Sequence, residues 1–84
     1  MNRKQRIHNL LRKKFKNFLI NVQDNSNLHA GHNDFSGEAG THLKIILINK
    51  NIAEINKLKI HRDIYSMLKK EFENGLHALE IKIN

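Results

Sequence analysis

The sequence predicts an α/β chain of the α+β kind, ordered α-β-β-α-α-β, with a three-stranded mixed sheet carrying its helices on one face. Three observations predict it. Apolar residues recur at helical spacing in 3–16 and 61–74, whereas they alternate in 17–23 and 78–83 and run together in 43–48. Glycines and turn formers cluster between the first two strands. A long helix between the last two strands implies a right-handed crossover and hence a parallel pair. At 84 residues the chain is one domain, 1–84, and buries only about 60–65% of its unfolded surface.

In the first helix, Ile7, Leu10, Leu11 and Phe15 share a face while Arg6, Arg12, Lys13 and Lys16 point elsewhere. Phe18, Ile20 and Val22 then alternate with Leu19, Asn21 and Gln23 as a strand, closed by the turn cluster Asp24-Asn25-Ser26-Asn27. Residues 28–40 show no periodicity and contain Gly31, Gly37 and Gly40; a loop of that length in a small domain is often functional. Leu43–Ile48 is apolar enough for a central strand. A short helical turn follows around Ile52, Ile55 and Leu58, then a longer helix from about His61 to Asn74. Ile64, Met67, Leu68 and Phe72 form the buried stripe of that helix, and Gly75 stops it. Leu79, Ile81 and Ile83 mark the closing strand.

The net charge of +7 has one source. Residues 1–16 hold seven basic side chains and no acid, while residues 17–84 hold eight of each sign. Any attraction for phosphate or an acidic partner begins on that first helix, for which a plain solvated face is the competing reading. There is no Cys, so metal chemistry must use imidazole or oxygen. The longest apolar run, Ile45–Ile48, cannot span a bilayer, and the basic N-terminus lacks a secretory apolar stretch. The expectation is a cytoplasmic chain without membrane attachment.

The candidate ligands are histidines. His29 and His32 stand three apart in the glycine-rich loop, a half-site for zinc, copper or iron. His61 falls where the short turn meets the long helix; a helix N-terminus favours the neutral imidazole that a metal requires. His77 shares strand parity with Leu79 and Ile81, which assigns it to the core. His42 has the opposite parity to Leu43 and can pair across the sheet or stand at the loop's base. His8 reads as surface. Gly37-Glu38-Ala39-Gly40 matches the G-x-x-G loop of KH domains but joins two strands instead of two helices. No phosphate-binding loop, nucleophile elbow or paired-carboxylate cleft is present, so no enzyme is expected.

Asp24-Asn25-Ser26 with His29, then Thr41-His42-Leu43, His61-Arg62 with Tyr65, and Gly75-Leu76-His77-Ala78-Leu79 together resemble the BolA-like family over nearly the whole chain. The resemblance implies a class II KH-like arrangement without the G-x-x-G function. It implies pairing with a monothiol glutaredoxin and a shared 2Fe–2S cluster, sulfur-ligated through glutaredoxin and glutathione, with no cofactor in the isolated chain, a monomer or weak homodimer. It assigns His61 as the C-terminal ligand and takes the second from the loop, His29 by alignment or His32 by proximity. Some relatives bind DNA through the turn and helix around His-Arg, which points here to Lys57, Lys59, Arg62, Lys69 and Lys70, with Arg6, Arg12, Lys13 and Lys16 on the first helix. The chain departs from the family pattern at Leu43, at Ile52-Ala53-Glu54 and at Ile60.

Overall fold

Asn2 starts the first helix, α1 (Arg3–Lys14), by a reciprocal cap: its side chain accepts from the Gln5 N–H, and the Gln5 side chain accepts from the Asn2 N–H. The computed structural model describes residues 2–26, 40–50 and 54–84. Ile7 and Leu11 of α1 are fully buried, and Arg12, Lys13 and Lys14 in its last turn complement the carbonyl end of the helix. Phe15 ends the helix earlier than the periodicity predicts, because its backbone leaves the helical region (φ −111°, ψ 67°) to bury the ring.

Strands β1 (Phe18–Asp24) and β2 (His42–Asn49) pair antiparallel, with Leu19 opposite Ile48 and Val22 opposite Ile45. β3 (Ala78–Ile83) joins β2 in parallel, with Leu43 opposite Leu79 and Leu47 opposite Ile83. The sheet order β1-β2-β3 places the most apolar strand in the middle. Leu43, Ile45 and Leu47 enter one core with Ile7, Leu11, Phe15, Ile60, Ile64 and Leu68. Leu19 and Ile48, of the other parity, are exposed on the sheet's open face. The expected fold class therefore holds, with the helices on one face. Each fully buried Ile or Leu contributes about 1.5–3 kcal/mol relative to exposure.

The division of the helices differs from expectation. α2 (Lys57–Met67) starts at Lys57 because Asn56 caps it, its side chain accepting from the Lys59 N–H at 3.0 Å. The helix expected to run unbroken to Asn74 is interrupted at Leu68, and α3 (Lys69–Glu73) follows. Leu68 is fully buried with φ −99° and ψ 12°, so its side chain stays in the core where the helix is interrupted. Residues 54–56 are not helical, and Ile52 lies outside the described residues. Gly75 performs its expected role. With φ +117° it lets the Leu76 N–H reach back to the Glu71 carbonyl at 2.9 Å, and Leu76 is buried.

Candidate functional site

The chain on either side of residues 27–39 is tied together by two short polar side chains. The Asp24 carboxylate accepts from the Ser26 N–H, the Ser26 hydroxyl and the Gly40 N–H. The Ser26 oxygen in turn accepts from the Thr41 and His42 N–H groups at 2.9 and 3.1 Å. Burial works against the charged form of Asp24, but the Ser26 and Gly40 hydrogen bonds and the Lys4 ammonium outweigh it and hold the carboxyl below the ordinary aspartate value. The predicted turn at 24–26 is thus a clamp that fixes where residues 27–39 leave and re-enter the sheet. Ser26 is almost completely buried, so Ser26→Ala leaves the Thr41 and His42 N–H groups without that acceptor. A loss of about 1–3 kcal/mol is expected in urea unfolding; an unchanged midpoint would show that the clamp contributes nothing.

His42 stands at the re-entry stem, its Nδ1 3.1 Å from the Thr41 hydroxyl. His77 lies against it, the two rings stacked at 6.0 Å with 14° between their planes. The expectation that His77 points into the core fails because β3 begins only at Ala78. His77 precedes the strand, shares the Thr41 carbonyl with Ala78 through its N–H, and is exposed. His42 meets its expectation on both counts, pairing across the sheet and standing at the loop's base.

His61 is placed elsewhere. It sits in the second turn of α2, half-buried, and not at the helix N-terminus on which its ligand argument was built. Arg3 marks where the other end of the crossover lies: its guanidinium donates to the Gly40 carbonyl at 2.7 Å and to the Asn74 carbonyl at 2.6 Å. The end of α3 therefore adjoins the loop stem. His61 lies upstream of Asn74 on the other side of the interruption at Leu68. Tyr65, one turn nearer, donates from its hydroxyl to the Leu79 carbonyl at 3.1 Å, in the row of the sheet that holds Leu43 and Asp24. The histidines at the stems are thus His42 and His77, while His29 and His32 lie outside the described residues. Among the described residues no group of three or more His, Cys, Asp or Glu is arranged to hold a metal.

Several of the cations are paired within the chain. Arg6, a candidate phosphate contact, grips both Glu71 carboxylate oxygens at 2.9 Å. Arg3 donates to the same carboxylate, and this double pairing holds the Glu71 carboxyl down at about 2. Lys59 pairs with Asp63 one turn on. Lys57, Arg62, Lys69 and Lys70 on α2 and α3 are exposed, as are Arg12, Lys13 and Lys16 at the far end of α1. No described helix is long and apolar enough to cross a membrane.

Comparison with known proteins agrees with this architecture. A family model for BolA-like proteins matches residues 11–84. The chain is 34% identical over 82 residues to chloroplastic BOLA1 of Arabidopsis thaliana, covering 95% of this chain and 51% of that protein, about half its length. It is 31% identical to the UV-induced protein uvi31 of Schizosaccharomyces pombe, covering 96% of this chain and 82% of the relative. It is 26% identical to the DNA-binding transcriptional regulator BolA of Haemophilus influenzae, covering 99% of this chain and 77% of the relative. The solved BolA domain of SufE1 from Arabidopsis thaliana superposes with a TM-score of 0.78 at 32% identity, covering 100% of this chain and 92% of that one. The chain belongs to the BolA-like family, whose members are not enzymes.

Proposed function

We propose that this chain is the non-catalytic partner of a monothiol glutaredoxin, and that the pair holds a 2Fe–2S cluster at the loop end of the sheet for iron–sulfur trafficking or iron-dependent regulation. The observation that carries the reading is the exposed His77 beside His42, at the clamped stems of the segment that bears His29 and His32. The donor set fits such a cluster only in part. A chain without Cys offers no thiolate, and imidazoles can take two of the four ligand positions, as in Rieske centres. The two sulfur ligands then come from glutaredoxin and glutathione. From this chain, His77 serves as one ligand in preference to His61, supported by its exposure beside His42 at the stems, and His29 or His32 supplies the second. When bound, such a cluster supplies one-electron chemistry and transferable iron and sulfide. This chain's residues position the imidazoles: Ser26 and Asp24 fix the loop stems, and Thr41 fixes His42 and the backbone of His77.

The test is reconstitution of the purified chain with a monothiol glutaredoxin, glutathione, iron and sulfide, followed by size exclusion with iron and sulfide analysis. The expected product is a 1:1 heterodimer with one cluster, while this chain alone stays colourless. A coloured glutaredoxin homodimer with this chain eluting separately would overturn the reading.

A second reading, nucleic-acid binding, is favoured by the exposed Lys57, Arg62, Lys69 and Lys70 on the paired helices, and by the name of the Haemophilus relative. If these four neutralise phosphates, log affinity for duplex DNA falls against log salt with a slope of roughly −3.6, about −0.9 per contact. Replacing Lys69 and Lys70 by Gln should flatten the slope by ~1.8. A slope unmoved by that change would remove these two residues from any DNA interface.

A further inference from the structure

We infer that the outer edge of β1 and the adjoining face of α1 form a docking site for an extended acidic segment of a partner protein, one with acids at alternate positions. The register fixes which backbone groups face outward. Asn25 N–H donates to the His42 carbonyl, and Lys50 N–H donates to the Asn17 carbonyl. Odd-numbered residues of β1 therefore bond to β2, and the amides and carbonyls of Ile20, Val22 and Asp24 point away from the sheet. The Phe18 N–H is already used by Phe15. Of the usual edge guards β1 has no Lys, no Pro and no bulge.

Beside this edge runs a groove of about 410 Å³ lined by Lys4, Gln5, His8, Asn9 and Val22. Lys4 and His8 are one helical turn apart, and the same repeat carries the row to the exposed Arg12. The spacing is what selects an extended ligand. Four helical residues advance about 6.0 Å and two strand residues about 6.6 Å, so each member of the row meets every second side chain of a strand added to β1. Those side chains should be carboxylates. Among the described residues Asp24 is the one acid at this edge; it accepts from Ser26 and Gly40 and faces Lys4, so the far part of the row, His8 and Arg12, has no acid beside it there. The intervening side chains of the added strand fall on the open face beside Leu19, which is 55% exposed, and should be apolar and β-branched. This is strand addition to a sheet edge, with main-chain hydrogen bonds giving affinity and the basic row giving selectivity.

The site can be probed with a nine-residue peptide alternating Glu and Val, a second peptide of the same composition with the Glu in one block, and a third alternating peptide N-methylated at its central amides. Binding to the full chain is followed by amide shifts and amide exchange. The alternating peptide should shift and protect the Ile20 and Val22 amides, with the blocked and N-methylated peptides at least fivefold weaker. The double variant K4Q/R12Q changes only exposed side chains and should weaken the alternating peptide roughly three- to tenfold. Equal affinity for the alternating and blocked peptides would overturn the proposal, leaving plain charge attraction. So would unmoved Ile20 and Val22 amides, which would make the basic row edge protection only. It would also fall if duplex DNA shifts Lys4, His8 and Arg12 while the alternating peptide does not bind.

Discussion

His77→Ala in the glutaredoxin heterodimer is expected to shorten the lifetime of the cluster at least tenfold and to change its visible spectrum, while His61→Ala leaves both near wild type. The reason is placement. His77 is exposed, anchored through its N–H on the Thr41 carbonyl, and adjoins the clamped loop stems. His61 lies on α2, one turn further from that end than Tyr65. Because the His77 ring is outside the core, its removal should leave the fold intact, which circular dichroism checks. His42→Ala should act more mildly, through the loss of the stacked ring that orients His77. Among the loop residues, His29→Ala and His32→Ala should each be milder than the double substitution, since either can serve one role. A cluster that survives His77→Ala and is lost in His61→Ala would return the ligand to α2.

Glu71→Gln should be among the most destabilising single changes in the chain. Glu71 receives Arg3 and Arg6 together, and the side chains of Arg3 and Glu71 are only 14% exposed. Through Arg3 the same carboxylate joins the start of α1 to the loop stem at Gly40 and to the end of α3 at Asn74. Losing charge-assisted hydrogen bonds in this setting costs about 2–3 kcal/mol, or roughly 10–20 °C in Tm for a domain of this size. Arg6→Ala should cost less than Arg3→Ala, because Arg6 is the more exposed partner.

The acid limb of stability carries the same signature. Glu71 is held at about 2 against an ordinary 4.5, so its folded form binds fewer protons than the unfolded chain in that interval. Its contribution is complete above about pH 4.5 and is lost as the pH falls toward 2. Asp24, also held below its ordinary value, adds in the same direction. Urea unfolding from pH 6 to 2 should therefore show a steep acid loss in the wild type and a shallower one in Glu71→Gln. Parallel profiles would show that the double pairing does not depress Glu71.

Periodicity made most of the fold legible. Ile7, Leu11 and Phe15, the run Leu43–Ile48 and the alternation around Ile81 each bury one face, so composition and spacing alone locate α1, β2 and β3. The interruption at Leu68 left no such trace, because Leu68 belongs to the apolar stripe whether or not the helix continues through it. Asn56 was the missed signal for the start of α2, a capping side chain one residue before Lys57. His77 shows where parity fails: alternation predicts a face only inside the ladder, and the ladder begins one residue later. The pairing of Arg3 and Arg6 with Glu71 joins residues far apart in sequence and has no periodic signature, so Arg6 read as a free cation. The family resemblance rested on short motifs, among them Asp24-Asn25-Ser26 and Thr41-His42, that the structure places together at one end of the sheet.

The most direct test of the cluster assignment is pulsed EPR on the reduced heterodimer, with this chain carrying ¹⁵N-histidine and glutaredoxin at natural abundance. Strong ¹⁵N couplings arising from this chain, one of them lost in His77→Ala and kept in His61→Ala, are the predicted result. A cluster spectrum without nitrogen coupling from this chain would mean ligation by sulfur alone and would contradict the account.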